Sequence, residues 1–293
     1  MSAAEAVPPP RPTVCLTLDF DAESIWIMLG LTGARSISRG EFGGRTGAPR
    51  LLDLCDRHGI SSTWFVPGHT ADTYPEITRE VCRRGHELAN HGYLHEDFAA
   101  LDLEQARTAL RKGNAALERI SGLQPEGVRL GGGDFDGGIM EVLVEEGFTW
   151  DSSLLGEYRP HWCRSRDTLE GVDARIVRGH PLDLVELPVS FVTSDFVNFE
   201  VNYAAPAVPS RLRNPRDIED IWQQELDALL THEPGGALML MLHPQVIGRG
   251  SRFTMLERFV EHCLAQPGLR FATCGTVAAE FRAAEAARRH TRP

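Results

Sequence analysis

The chain has 293 residues and a formal net charge of −11, which disfavours an electrostatic nucleic-acid binder because such a protein needs a basic face. Its six cysteines form no C-x-x-C pair, which is typical of free thiols in a reducing compartment and excludes a zinc knuckle or a disulfide framework. Residues 1–12 lack the basic and apolar regions of a secretory signal, and no apolar run is long enough to span a bilayer. We therefore predict a cytoplasmic protein with no membrane and no nucleic-acid partner.

Predicted strands and helices alternate along most of the chain. The predicted strands are 14–20, 60–68, 86–90, 127–130, 148–153, 184–192, 237–242 and 269–273. The predicted helices are 48–59, one that ends near 83–85, 101–122, 138–147, 215–230, 255–266 and 276–289. Gly59 is a helix stop, while Asp102 and Gly122 are the expected cap and terminator of the clearest amphipathic helix.

This alternation predicts a mainly parallel sheet, and about seven strand–helix units in one domain favour a (β/α) barrel over an open sheet. Residues 13–293 are therefore predicted to be a single catalytic domain, and residues 1–12, MSAAEAVPPPRP, a disordered proline-rich leader. Catalytic groups of such barrels lie at the carboxyl ends of strands, so polar residues at those ends are the candidates for a site.

Two carboxylates end the first predicted strand. Asp19 and Asp21 are separated by Phe20, and because strand side chains alternate, both acids can project to one side while Phe20 turns away. Buried carboxylates are costly unless a cation or hydrogen bonds compensate them. The alternative is an inert, solvated turn that leaves the strand.

Two histidines follow the third predicted strand. His91 and His95 share a face if this stretch is helical, and that spacing lets two imidazoles bind one metal, although such a pair alone is more often incidental. One aspartate and two histidines form a suitable ligand set for a catalytic divalent metal, with a position open for water. Zn²⁺ is the expected metal, with Co²⁺ and Ni²⁺ as alternatives. His86 begins its strand, away from the catalytic end, and is predicted to be structural.

Three further strand ends carry functional groups: Arg129 in GVRL, Asp151 in FTWD and His243 after ALMLML. Each has a structural alternative, as a surface arginine, a helix N-cap and a satisfied histidine before a proline. Together with the acids and histidines above, they favour one catalytic site over coincidence.

The motifs LTLDFDAE, HGYLH, GVRL, DSS (151–153) and MLMLHPQ resemble, in this order, those of the polysaccharide deacetylase (NodB-homology) family. The resemblance implies a distorted (β/α) barrel and metal-dependent removal of an acyl group from an N-acylated sugar. By matching motif it implies these roles: Asp19 as general base, Asp21, His91 and His95 as metal ligands, Arg129 as the residue that orients the base, His243 as general acid, and Asp151 as the carboxylate that keeps His243 protonated.

The chain departs from the family pattern at two places. Phe20 separates two aspartates that are usually adjacent, and Gly131 stands where the arginine motif normally carries a proline. With EFGGR (41–45), PGHTADTYPE (67–76) and HPQVIGRGSR (243–252), these departures resemble a cytoplasmic branch that includes peptidoglycan-deacetylase-like, cyclic-imide-hydrolase-like and allantoinase-like proteins.

That branch leaves the substrate open. An N-acyl sugar deacetylase is the first hypothesis, ring opening of a cyclic imide or ureide is the alternative, and a catalytically inactive ligand-binding barrel is a third. The resemblance implies Glu23 and Arg45 as substrate-binding residues, and His69, which follows a predicted strand, is a further candidate. We expect a small-molecule or glycan amide as substrate, and a homo-oligomer. Arg249 and Arg252 either contact an acidic substrate or a neighbouring subunit, or are solvated loop residues.

Overall fold

The computed structural model describes residues 11–200 and 213–291. The strands are β1 (Thr13–Asp19), β2 (Thr63–Val66), β3 (Glu87–Asn90), β4 (Gly127–Val128), β5 (Trp150–Asp151), β6 (His161–Arg164), β7 (Thr168–Glu170), β8 (Arg175–Val177), β9 (Pro181–Glu186), β10 (Ala237–Leu242) and β11 (Arg270–Phe271). The α-helices are α1 (Ser24–Met28), α2 (Ala34–Phe42), α3 (Ala48–His58), α4 (Gly68–Thr73), α5 (Pro75–Arg83), α6 (Leu103–Ser121), α7 (Ile139–Glu145), α8 (Asp195–Phe199), α9 (Pro215–His232), α10 (Pro244–Ile247), α11 (Gly250–Leu264) and α12 (Cys274–Thr291). A π-helical turn spans Gly43–Gly47, and 3₁₀ turns span Phe98–Ala100 and Phe191–Thr193.

The central sheet has the strand order β10-β1-β2-β3-β4-β5-β9, and each neighbouring pair in this order is parallel. Strand β6 extends the sheet antiparallel to β9, and β11 lies parallel to the start of β1. A parallel bridge between Ser194 and Met241 connects the segment after β9 to β10, so the two ends of the sheet meet. The predicted distorted (β/α) barrel with about seven parallel strands is confirmed.

Strand β1 shows how the sequence builds the centre of this barrel. All seven of its residues are buried because it pairs with β10 on one side and β2 on the other. Alternate residues Val14, Leu16 and Leu18 pack into the core that includes the surrounding helices, and burying each contributes about 1.5–3 kcal/mol. Cys15 belongs to a second core cluster inside the barrel, so Asp19, which has the same parity, lies inside at its carboxyl end.

The predicted helix ends are also observed. Asp102 and Gln105 form a capping box at the start of α6, and Gly122 ends that helix with φ 76°. Gly59 ends α3 with φ 63°.

The sequence analysis did not predict several short elements, and most of the predicted leader lies outside the described residues. Helices α1, α2, α4, α8 and α10, strand β6 and the hairpin β7–β8 were not predicted. Residues 1–10 of the predicted disordered leader lie outside the described residues, and the carbonyl of Pro12 already accepts a hydrogen bond from the Arg270 amide. Among the described helices, none is long and apolar enough to cross a bilayer.

Candidate active site

Five predicted site residues meet in one cavity of about 850 Å³ at the carboxyl ends of the strands. They are Asp19, His91, His95, Arg129 and His243. Asp21 lies against them and is fully buried. Phe20, between the two aspartates, turns into the core that surrounds the barrel, as the alternation of strand side chains predicts.

Asp21, His91 and His95 form a cluster that is suited to a metal ion. Each offers one ligand atom, and these atoms lie within 4.8 Å of one another. Asp21 Oδ1 is 3.5 Å from His91 Nε2 and 3.8 Å from His95 Nε2. Asp21 Oδ1 and His91 Nε2 are buried and have no hydrogen-bond partner among the described residues, so they are available as ligands.

The protonation of the two imidazoles also suits a metal. His91 Nδ1 is 2.6 Å from the carbonyl oxygen of Arg129, which can only accept, so Nδ1 carries the proton and the lone pair of Nε2 is directed at Asp21. Burial and the neighbouring His95 lower the pKa of His91, and burial lowers the pKa of His95 to about 4. Both rings are therefore neutral near pH 7, as metal ligation requires.

The Asp21 carboxylate is oriented by Gln245. Gln245 Nε2 donates to Asp21 Oδ2 at 3.2 Å, which leaves Oδ1 to face the two histidines. Burial raises the pKa of Asp21 to about 6, as expected for a carboxyl group held in a dry site. The sequence analysis missed Gln245, although it lies only two residues after His243.

A tight turn, not a helix, brings the two histidines together, so the helical premise of their pairing was wrong. Gly92 has φ 71° and His95 has φ 56°, both in the left-handed region. The Glu96 carboxylate accepts hydrogen bonds from the amides of Tyr93 at 2.8 Å and Leu94 at 3.0 Å, which holds the turn. The imidazole rings end up perpendicular, with centroids 4.7 Å apart.

The departure from the family motif at Gly131 has a local explanation. A Cβ atom at this position would lie 3.0 Å from His95 Cε1 and 3.1 Å from the Glu96 carbonyl oxygen. Glycine therefore lets the backbone after Arg129 pack directly against a predicted metal ligand, and a proline ring would crowd that histidine.

Arg129 holds Asp19 as an anion. Its Nη1 donates to Asp19 Oδ1 at 2.6 Å, and the guanidinium also binds Thr17 and Ser152 and stacks on Phe65. Burial on its own would raise the pKa of Asp19, but the charge and hydrogen bond of Arg129, together with His91 and His243, outweigh it, and the pKa lies below its ordinary value. The contact between these two residues is the one that the resemblance implies.

His243 is held by Asp195, a residue that the sequence analysis missed. Asp195 Oδ1 is 2.7 Å from His243 Nδ1, and Oδ2 accepts from the His243 amide at 2.9 Å. His243 Nε2 lies 3.7 Å from both Asp19 Oδ2 and Asp21 Oδ2. Burial opposes the charged form, but Asp195 raises the pKa of His243 to about 9, so the imidazole is protonated near neutral pH.

The prediction that Asp151 holds His243 was wrong. Asp151 Oδ1 accepts from Ser153 Oγ at 2.6 Å, and the carboxyl group lies beside Glu186, its register partner on β9. Burial raises the pKa of both acids, and the charge of Asp151 raises the pKa of Glu186 further. The missed Asp195 is the single acid in the apolar stretch FVTSDFVNF (191–199), which was the available signal.

The three predicted substrate-binding residues lie away from the cavity wall. Glu23 accepts from the Tyr74 hydroxyl at 2.5 Å, and Arg45 is a largely exposed side chain 4.0 Å from Glu41. His69 is the second residue of α4, and its amide donates to the Tyr93 carbonyl. The cavity is lined largely by apolar side chains, among them Leu130, Phe135, Met140, Leu154, Phe191, Phe196, Val197 and Met241.

The fold and this site define a hydrolase that acts on carbon–nitrogen bonds other than peptide bonds. The family model described as polysaccharide deacetylase matches residues 7–150. A peptidoglycan deacetylase of Helicobacter pylori is 29% identical over 282 residues, which cover 92% of this chain and 95% of that protein. A peptidoglycan deacetylase-like protein of Gibberella zeae is 30% identical over 295 residues, which cover 92% and 86%. The chain therefore belongs to the polysaccharide deacetylase family.

Solved structures agree with this assignment. A Mycobacterium smegmatis protein assigned to the polysaccharide deacetylases has 31% identity and a TM-score of 0.82, and the match covers 97% of this chain and 95% of that chain. The allantoinase PuuE has 20% identity and a TM-score of 0.74 with 97% and 98% covered, a likeness that supports the fold alone.

Proposed function

We propose that this protein hydrolyses an N-acyl amide in a metal-dependent reaction, with an N-acylated sugar as the first candidate substrate. One observation carries the proposal: an acid bonded to an arginine, three groups able to bind a metal, and an imidazole bonded to a second acid lie together at one cavity. These are the parts that water activation and leaving-group protonation require. The deacetylases named among the relatives support the choice of substrate class.

Asp21, His91 and His95 would hold a divalent metal, and their one oxygen and two nitrogen ligands suit Zn²⁺, with Co²⁺ or Ni²⁺ as alternatives. When bound, such an ion polarises the scissile carbonyl and lowers the pKa of a water molecule. The buried, unpartnered oxygen of Asp21 and nitrogen of His91 support this assignment.

Asp19 is the proposed general base. Arg129 occupies its Oδ1, so Oδ2 is the oxygen that accepts a proton from the attacking water. The same guanidinium keeps the carboxylate ionised inside the barrel, where burial would otherwise neutralise it. Arg129 therefore orients the proposed base and keeps it ionised.

His243 is the proposed general acid. Its Nε2 lies within reach of both aspartates, and Asp195 on the opposite ring nitrogen keeps it protonated. The proton passes from Nε2 to the leaving nitrogen, because an amide anion is too basic to depart unprotonated. Asp195 takes the role that the resemblance gave to Asp151.

The cavity wall favours a second candidate, ring opening of a cyclic imide or ureide with the same residues. Several polar side chains on the wall are already bonded within the protein: Ser152 to Leu187, Ser153 to Asp151 and Ser165 to His180. Charged residues such as Asp134, Arg164 and Arg166 also line the wall, but apolar atoms contribute most of its surface, which suits a small ring better than a polyhydroxylated chain.

A hydrolysis screen tests both candidates. Purified protein is assayed with N-acetylglucosamine oligomers, succinimide, dihydrouracil and allantoin, with and without a chelator, and then after Zn²⁺, Co²⁺ or Ni²⁺ is restored. We expect turnover of one substrate class that the chelator abolishes and metal restores. Turnover that resists the chelator contradicts the metal mechanism, and no turnover with any amide would favour the inactive-barrel alternative.

The remaining sequence-based expectations are proposals as well. All six cysteines are unbridged, which supports a reducing, cytoplasmic location. Assembly into a homo-oligomer and the absence of nucleic-acid and membrane partners stay predictions. Sedimentation of the purified protein tests the first of these directly.

A further inference from the structure

Three arginines gather on the side of the barrel formed by α2 and the start of α11. We call Arg39, Arg249 and Arg252 the arginine cluster. None of the three lines the cavity described above, and the proposed hydrolysis uses none of them. Two of them belong to the motif HPQVIGRGSR (243–252).

One carboxylate joins two members of the arginine cluster. Arg39 forms an ion pair with Glu200 Oε1, and Arg252 Nη1 lies 3.4 Å from Glu200 Oε2. Arg249 has no ion pair with any described carboxylate, and its Nε donates to the Gln245 carbonyl at 2.8 Å. Glu200 is thus shared, and Arg249 carries an uncompensated charge.

Each guanidinium of the cluster also lies over an aromatic ring. Cζ of Arg39 lies 4.1 Å from the Trp26 ring centre, and Cζ of Arg249 lies 3.9 Å from that of Phe42. Cζ of Arg252 lies 5.0 Å from the ring centre of Phe199. These cation–π contacts restrict the guanidinium groups before any ligand arrives, which lowers the entropy lost on binding.

The charge balance of this patch is unusual for the chain. Among the described residues, three guanidiniums share one ion-paired carboxylate, and Asp195 supplies a further negative charge near Arg252. The described charges of the patch are therefore positive on balance, in a protein whose net charge is −11. Burial and the neighbouring arginines lower the pKa of Arg39 and Arg249, which reports mutual repulsion. By contrast, Arg258 on the same α11 is fully matched by Glu219.

We propose that the arginine cluster is a binding site for an oxyanion, a carboxylate or phosphate group that bridges Arg249 to Arg39 and Arg252. Guanidinium groups present paired donors that match the oxygens of such groups. Arg249 also precedes the 15-residue helix α11, whose positive N-terminal end adds to the attraction. The anion belongs either to a free small molecule or to an acidic side chain of a second copy of this chain.

Inorganic phosphate is the probe that tests the site. Calorimetric titration at constant ionic strength should give saturable binding to the wild-type chain. Arg249→Gln should raise the dissociation constant at least about tenfold, because it removes a charge-assisted hydrogen bond. Arg249→Lys, which keeps the charge but lacks the paired donors of a guanidinium, should bind phosphate with intermediate affinity. Arg258→Gln on the same helix is the matched control and should bind like the wild type.

Thermal unfolding and sedimentation complete the test. Without phosphate, Arg249→Gln should raise the melting temperature because it relieves repulsion, and phosphate should no longer raise it further. If Arg249→Gln or added phosphate dissociates an oligomer, the natural anion comes from a second copy, and if the chain stays monomeric, it is a free ligand. Equal phosphate binding by wild type and Arg249→Gln overturns the proposal, as does no binding together with an oligomeric state that Arg249→Gln leaves unchanged.

Discussion

Two pairs of buried groups lie at the carboxyl ends of strands in this barrel, and the carboxyl groups in them differ in charge state. Asp19 at the end of β1 contacts Arg129, and its pKa is lowered in spite of burial. Asp151 at the end of β5 lies beside Glu186, and burial raises the pKa of both acids. A carboxyl group at a catalytic strand end therefore acquires its function from its partner, and position alone does not identify a base.

The comparison predicts unequal effects of the same substitution at the two acids. Asp19→Asn should lower kcat/KM at least about a hundredfold, because it removes the group that accepts the proton from water. Asp151→Asn should lower it less than about tenfold, since Asp151 touches neither the cavity nor His243. Steady-state kinetics on both variants, with circular dichroism to confirm folding, decides the matter. Equal losses would contradict the distinction between the two acids.

A second difference concerns the partner of His243. Asp195 raises the pKa of His243 to about 9, so Asp195→Asn should lower that pKa. Because the general acid acts in its protonated form, the alkaline limb of the kcat/KM profile should move to lower pH. Asp151→Asn serves as the control and should leave this limb in place. A limb that moves with Asp151 instead would restore the role that the family resemblance gave to that residue.

The smallest expected effect concerns stability at the Asp151–Glu186 pair. Since the folded-state pKa values are raised, the contribution of this pair to stability is complete below the ordinary carboxyl pKa and is lost as the pH rises through the folded-state values. Glu186→Gln supplies a permanent donor to Asp151. The free energy of unfolding of this variant, relative to that of the wild type, should therefore increase by about 1 kcal/mol as the pH rises from 4 to 7. Urea unfolding of both proteins across this range is the measurement. If the difference between their free energies of unfolding does not change with pH, the raised pKa values of this pair are contradicted.

Much of the fold was predictable because its signals are local. Strands β1 and β10 are continuous apolar runs whose neighbours bury both faces, and α6 carries its own cap and terminator. The geometry of Asp19 and Asp21 also followed from strand alternation alone. In each case a few consecutive residues contain the information.

The missed features depend on contacts between distant segments. The turn at His91 and His95 requires a left-handed histidine, a conformation that no spacing rule predicts. Asp195 lies on a five-residue helix that is too short to show periodicity, and only its docking beside β10 brings it to His243. The hairpin β7–β8 is largely exposed, so it lacks the apolar alternation of a buried strand.

The central claim is that Asp21, His91 and His95 bind the metal with which the protein hydrolyses an amide. Its most direct test is the metal content of purified wild type and Asp21→Ala by mass spectrometry, measured alongside hydrolysis of the best substrate from the screen. We predict one divalent metal per chain in the wild type, and loss of both metal and turnover in Asp21→Ala. A wild type that turns over substrate without bound metal, or an Asp21→Ala variant that keeps full activity, would contradict the account.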